Sequence, residues 1–535
     1  MSDNLTKIAE DSARGGFFLF SGNIISLFIL AIGSVLIARL LGQDNYGLYS
    51  LSIVVPLLFI NLMDFGINSA MTRFSAKYRS EGKPGLAASI LKTGFIFKIL
   101  IGLAFFCLSF FFSDFFAIYF TNRSETSPFI KFTSLLIIFQ TIFNSLGSSF
   151  MGLDKMEGTA LTSFVQAIVK TGISPLLIFL GFGIFGALTG HVLGYIIASI
   201  VGSLIFIRFY RNLGPRSNSN FINDTKVILN YGLPLYAPSL LGLIIPPFQT
   251  IILAYNVSNV IIGNYAVSGI LLSMLSIVTV PFDVLFATFS KVNANNGEIK
   301  SVFRRSIKYT SLIIIPSAVI ILTLSKEIVQ TLYGQEFILA PFYLQLATLN
   351  FLFAGLGSIV LGSLLAGLGD TRIIFKSNLL NFSTFLPLAV ILTILYNVPG
   401  LIISTVISNL ISILYQLNIA IKRTGTVPDF KASIKIYLTS FISVLPVLLL
   451  INILKLNNII SLIVNSLLFL FVYLTCLPIV GAINLIDIEN IKIMFKKIKI
   501  IWPILKPILS YELRLYSYVK SIRYVDYLQA EEQKR

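Results

Sequence analysis

The stretch "LLGQDNYGLYS", residues 40–50, is a polar, turn-prone joint set between two long apolar runs. The chain writes it again at 260–268 as "VIIGNYAVS", where Gly47, Tyr49 and Ser52 return as Gly263, Tyr265 and Ser268 at the same spacing. Further echoes lie at offsets of 214 to 216. "SSFMGLDK" is answered by "GSLLAGLGDTR", so that Gly152 and Leu153 recur as Gly367 and Leu368. Gly186 and Arg208 bracket one apolar run, Gly400 and Lys422 its counterpart, and Lys92 corresponds to Lys308. One such match is weak; four at the ends of apolar runs mark an internal duplication.

The runs between the joints define the class. Of 535 residues, 56% are hydrophobic and 12% charged, with a mean hydropathy of +0.88. Soluble domains carry about twice that charge fraction. Many charge-free runs reach the ~18–20 residues that a helix needs to cross ~30 Å of hydrocarbon, and they are continuously apolar, unlike the alternating strands of a membrane barrel. The reading is an all-α polytopic membrane protein with fourteen spans. Sorting the forty Lys and Arg supports that count: with the N-terminus inside, thirty-three fall on the cytoplasmic side, five outside, and Lys98 and Lys170 within spans. The positive-inside rule then puts both termini in the cytoplasm.

Six spans per copy is an even number, so the copies share one topology, related by a pseudo-twofold axis along the membrane normal. The predicted organisation is a cytoplasmic arm (1–16), a six-helix lobe (17–208), a cytoplasmic linker (209–231), a second lobe (232–421), two added helices (434–486) and a basic amphipathic tail (487–535). Two such halves around a shared cavity are the layout of a transporter. The tail, with Ile488, Ile491, Met494, Ile498 and Trp502 on one stripe and Lys492, Lys496 and Lys499 beside it, is expected to lie on anionic lipid of the inner leaflet.

Ionisable groups inside spans cost at least ~2.5 kcal/mol and so need a reason. Lys170, some 20 Å along predicted span 5 (157–181), is the first candidate for a cation lining the cavity. Lys98 in span 3 and Arg39 at the outer end of span 1 can serve the same role or snorkel to the interface. His191, the single histidine, can titrate or simply bond a neighbouring helix. Asp64 reads as paired locally with Arg73 or as a cap, and Asp283 reads likewise. Span 7 (232–254) carries Pro234, Pro238, Pro246 and Pro247, each removing a backbone donor; the expectation is a bent or broken helix that acts as hinge or gate. Gln249 adds a neutral polar group there. Cys107 and Cys476 suit neither a disulfide framework nor a metal site, no cofactor is indicated, and no P-loop or nucleophile motif points to an enzyme.

"ARLLGQDNYGLYS", "DFGINSAMTR", "FMGLDK", "YGLPLYAPSLL" and "IGNYAVSGIL" resemble the polysaccharide-export branch of the multidrug/oligosaccharidyl-lipid/polysaccharide exporter superfamily, across residues 5 to 486. The resemblance implies V-shaped six-helix lobes that alternate between inward- and outward-facing states. It also implies a flippase that carries a polyprenyl- or dolichyl-(pyro)phosphate glycan to the outer leaflet for surface polysaccharide or protein glycosylation. Cavity cations, here Lys170, Lys98 and Arg39 by role, would bind the head group. Many relatives have an acidic residue in the seventh span where this chain has Gln249, which removes the usual group for ion coupling there. The implied setting is the cell membrane, as a monomer, with glycosyltransferases or a polymerase of the same pathway as partners and no nucleic acid. The competing readings are a multidrug or metabolite cation antiporter of the sister branch and a polytopic glycosyltransferase. The latter lacks acidic residues in the first outer loop, where Asp44 stands alone.

Overall fold

The computed structural model describes residues 2–213, 220–279, 297–454, 456–496 and 502–532. All the regular structure among them is helical. The main helices are α1 (Ser2–Leu62), α2 (Ile67–Ser80), α3 (Pro84–Phe111), α4 (Leu135–Gly152), α5 (Met156–Leu177), α6 (Gly183–Arg211), α7 (Phe221–Asn256) and α8 (Asn259–Ile277). They continue as α9 (Gly297–Tyr333), α10 (Ala340–Leu352), α11 (Ser358–Gly367), α12 (Thr371–Thr424), α13 (Phe430–Ile442), α14 (Val444–Ile453), α15 (Asn458–Val480), α16 (Leu485–Lys496) and α17 (Trp502–Glu532).

Nine helices among the described residues are long and apolar enough to cross a membrane, or ten if the pair Ala340–Leu356 and Ser358–Gly367, bent by 52°, is one span. Fourteen spans were expected, and the difference has a physical reason. Three of the nine, Ser21–Leu62, Met156–Arg211 and Arg372–Thr424, hold 42, 56 and 53 residues. At 1.5 Å per residue each is at least roughly 60 Å long, twice the hydrocarbon thickness. Each turns on one or a few residues, with no loop between its halves. Gly42 leaves the helix at φ 72°, inside the joint quoted first. Gly183 (φ 50°, ψ −129°) and Asn397 (φ 54°, ψ −135°) do so in the other two.

Those last two positions stand 214 apart, at the duplication offset, and share one unusual backbone conformation. The second echo behaves likewise. Asp154 and Gly369 both have positive φ, 56° and 81°. Lys155 N–H donates to Phe150 C=O at 2.8 Å, and its counterpart Asp370 N–H donates to Leu365 C=O at 3.0 Å. The equivalent lysines diverge: Lys92 is exposed, whereas Lys308 pairs at 2.5 Å with Asp487 beyond the added helices.

The four prolines of α7 do not break it. The helix runs unbroken from Phe221 to Asn256. Pro247 cannot donate to the carbonyl of Leu243 four residues back. Asn61 supplies the missing donor, its Nδ2 lying 3.0 Å from that oxygen. A neighbouring side chain that satisfies the freed carbonyl lets proline persist in a membrane helix.

The chain forms two compact units. One comprises Met1–Met274, Leu332–Tyr343 and Phe375–Ser408; the other comprises Leu275–Thr331, Leu344–Ile374 and Asn409–Arg535. In the first, helices approach through small residues, as apolar helices in lipid do. A Cβ on Gly33 would lie 2.3 Å from Thr171 Oγ1, and one on Gly190 would lie 2.3 Å from Ser174 Oγ. In the second, a core of Ile314, Ile315, Ile436, Phe469, Tyr473 and Leu477 also takes in Ile488 and Leu509 of the tail. The tail thus packs on the helices of its own unit.

Candidate functional site

Two polar cavities lie inside the first unit. The larger, about 240 Å³, is lined by Ser34, Tyr46, Tyr49, Ser50 and Lys170 with apolar Ile37, Ile53, Ala266 and Ile270. α5 is fixed against α1 by Thr171, whose hydroxyl donates to Ile29 C=O at 3.0 Å. The stem of Lys170 rests on α6 at Gly194, where a Cβ would come within 3.3 Å of Lys170 Cβ. Lys170 lines the cavity from there, and among the described residues no carboxylate pairs with it. Behind it, Tyr46 stacks on Tyr49 at 5.7 Å between ring centroids. The Tyr49 hydroxyl is 3.0 Å from His191 Nδ1, and the imidazole stacks on Tyr195. His191 is therefore held by a neighbouring helix at the back of the Lys170 cavity.

The smaller cavity, about 160 Å³, is lined by Asn61, Asp64, Asn68, Lys98, Thr141, Asn144 and Tyr236 with Ile60 and Leu243. Here two readings are corrected. Lys98 does not snorkel: it is 3% exposed and its Nζ lies 2.5 Å from Asp64 Oδ1. Its helix begins at Pro84, so Lys98 sits about 21 Å along it. Asp64 does not pair with Arg73, whose guanidinium lies 4.3 Å over the Tyr231 ring. The chain bends there instead, between the end of α1 and the start of α2, through Phe65 (φ 47°) and Gly66 (φ 73°). The bend turns the carboxylate toward α3.

Lys170 and Lys98 thus occupy separate cavities, one unpaired and one neutralised. Arg39 is exposed and lines neither. Gln249 is bracketed by neutral groups: its Nε2 donates to Thr405 Oγ1 at 2.9 Å and its Oε1 accepts from Tyr265 OH at 3.1 Å. Asp283 lies outside the described residues. Sequence reasoning missed Tyr46, Tyr49, Asn61, Asn68, Asn144 and Tyr236. The spacing of Asn61, Asp64 and Asn68, three and four apart in an apolar run, was a visible polar stripe.

The joint quoted at the outset is also built here. A Cβ on Gly47 would lie 2.0 Å from Asn259 C=O, and one on Gly263 would lie 2.0 Å from Gln43 C=O. Gly263 and Asn259 stand 216 residues after Gly47 and Gln43. Residue i of one copy meets residue j of the other and the reverse, which is the signature of a twofold contact. Arg123 clasps the same corner, donating to Asn259 Oδ1, Ala254 C=O and Val257 C=O at 2.7–3.1 Å.

Long apolar helices, a duplicated bundle and a half-buried cation beside a tyrosine pair, unpaired among the described residues, define a multi-pass membrane protein of transporter architecture. The chain belongs to the family described as polysaccharide biosynthesis protein, which it matches over residues 12–293. It is similar to the lipid II flippase MurJ of Bacillus subtilis (strain 168), at 24% identity over 77% of this chain and 82% of that protein. It is also similar to the lipopolysaccharide biosynthesis protein WzxC of Escherichia coli (strain K12), at 23% identity over 69% and 73%. Among solved structures, an inward closed conformation of the lipid II flippase MurJ superposes with a TM-score of 0.67 at 19% identity, over 86% of this chain and 98% of that one. An inward-facing multidrug resistance MATE transporter of the MOP superfamily superposes with a TM-score of 0.58 at 14% identity, over 75% and 94%. These likenesses show that the chain shares its fold with those two structures.

Proposed function

We propose that this protein is a flippase that moves a lipid-linked glycan from the cytoplasmic to the outer leaflet by alternating access. The observation that carries this reading is Lys170, a lysine without a counter-ion among the described residues, in a cavity walled by Tyr46, Tyr49 and two serines. A phosphate-linked sugar cannot cross hydrocarbon unaided, because desolvating its charge costs far more than a membrane helix or lipid can return. An ammonium lining such a cavity forms a strong charge-assisted bond with phosphate. Tyrosine faces and hydroxyls beside it suit a sugar ring, while the polyprenyl or dolichyl tail stays in lipid. One relative is named a lipid II flippase and another a lipopolysaccharide biosynthesis protein, and those names support the same substrate class here.

The orientation with both termini inside, the lobes at 17–208 and 232–421 and the added helices at 434–486 belong to this reading. So do the substrate role of Lys170, the coupling or polar roles of His191, Gln249 and Asp64, and the hinge role of Pro234, Pro238, Pro246 and Pro247. Depletion of the protein is expected to leave a sugar-lipid intermediate in the inner leaflet and to abolish the surface glycan, and an unchanged surface glycan refutes it. An antiporter of the sister branch would instead export cationic dyes, for which an unpaired lysine is the wrong charge.

A further inference from the structure

We infer that Glu512 is a proton-operated latch, which holds tail helix α17 against α15 when the carboxyl is protonated and releases it when the carboxyl ionises. This goes beyond the flippase reading and does not depend on the cargo.

Glu512 is 1% exposed, and neither of its carboxyl oxygens has a hydrogen-bond partner among the described residues. It sits one turn after Leu509, which belongs to the buried cluster formed with Tyr473, Leu477 and Ile488. Leu513 and Trp502 of the same helix pack on that cluster. Tyr511 fixes the register, its hydroxyl 2.8 Å from Thr475 Oγ1 and its ring against Phe471.

The charged and titratable groups around this contact are engaged elsewhere or face outward. On α15 they are Tyr473 and Cys476; the Tyr473 hydroxyl donates to Leu312 C=O at 2.9 Å. On α16, Asp487 holds Lys308 of α9, while Glu489, Lys492 and Lys496 are exposed. Tyr309 of α9 lies against Asp487 and Asn490. On α13, Lys435 donates to Gly481 C=O, the Tyr437 hydroxyl donates to Leu352 C=O, and Lys431 is exposed. On α17 itself, Lys506, Arg514 and Tyr518 are exposed and Tyr516 is half-buried. No cation among the described residues pairs with Glu512.

A carboxylate buried without a partner is costly, so the docked form keeps its proton. Burial pushes the Glu512 carboxyl up to about 8, against about 4.3 for an exposed glutamate. The docked state therefore binds the proton more tightly than the released state. Docking is strongest below the released value, weakens by about tenfold per pH unit between the two values, and levels off above the docked one. Between pH 6.5 and 8 the docking constant falls by roughly fifteenfold.

Trp502 is the only tryptophan in the chain, so its fluorescence reports on the tail without a label. With the full-length protein in lipid nanodiscs, acrylamide quenching of Trp502 is expected to rise from pH 5.5 to 8.5 and then level off. Glu512→Gln, which cannot ionise, should remain shielded across the whole range, while exposed Glu489→Gln should titrate as the wild type does. A flat wild-type profile, or a Glu512→Gln profile that follows the wild type, overturns the latch. A second readout uses the unmodified protein. A hydrophobic carbodiimide adds only to a protonated carboxyl, so mass spectrometry should find the adduct on Glu512 at pH 6 and lose it above pH 9. Absence of the adduct at pH 6 overturns the proposal as well.

Discussion

At the scale of single residues, two lysines that look alike in sequence have opposite electrostatic fates. Lys170 has no counter-ion among the described residues, so its charge is available to a ligand. Lys170→Gln should cut glycan-lipid transport in proteoliposomes by about 10–100-fold, the worth of one hydrogen bond to a charged group. Lys170→Arg, which keeps the charge, should retain more activity; equal loss in both would remove charge as the reason. Lys98 is already neutralised by Asp64. Lys98→Ala leaves a carboxylate stranded in a mostly buried site, and breaking such pairs costs about 3–5 kcal/mol. The double change Lys98→Met with Asp64→Leu should recover most of the thermal stability in detergent, because the desolvation cost leaves with both charges. Hydropathy made both lysines legible as anomalies, but their partners were not. The Lys98–Asp64 pair depends on where α3 begins and on a bend at Phe65 and Gly66, and no periodicity announces either.

At the scale of elements, the sequence exposed the joints well and the prolines poorly. Gly42, Gly183 and Asn397 each break a long helix near an expected boundary, because a polar residue or glycine between apolar runs is legible locally. The α7 prolines misled because their consequence is decided by a residue far away in the chain. Asn61 restores the lost bond at Leu243. Asn61→Leu should therefore destabilise the protein by about 0.6–1.7 kcal/mol, the range of intramembrane side-chain bonds. Adding Pro247→Ala should relieve that loss, since alanine returns its own N–H to Leu243. If the two changes add independently in thermal unfolding, Asn61 is not the compensating group. Asn397 gives a matching test on the backbone. It holds a positive φ that its counterpart Gly183 adopts with no Cβ to strain, and such strain costs of order 1–3 kcal/mol. Asn397→Gly should raise the midpoint of thermal unfolding, and Gly183→Asn should lower it.

At the scale of the whole molecule, the duplication explains why a greasy chain repeats one polar joint: each copy is the other's packing partner. Gly47 meets the carbonyl of Asn259, and Gly263 meets that of Gln43. In the proposed orientation this corner lies outside, beside the cavity that holds Lys170, and a transporter that alternates must separate it to release its cargo. The contact tolerates no Cβ on either glycine without a shift of backbone, so Gly47→Ala and Gly263→Ala should each hold the corner ajar. Because both glycines belong to one twofold contact, the double variant should behave like either single one, not like their sum. The measurement is labelling of Ser50→Cys, in the cavity wall, by a membrane-impermeant maleimide applied from outside, with Cys107 and Cys476 replaced by serine. Labelling should rise several-fold in both single variants and no further in the double. A response to only one glycine would mean that the two copies do not share the closure equally, and no response to either would place the outer barrier somewhere other than the repeated joint.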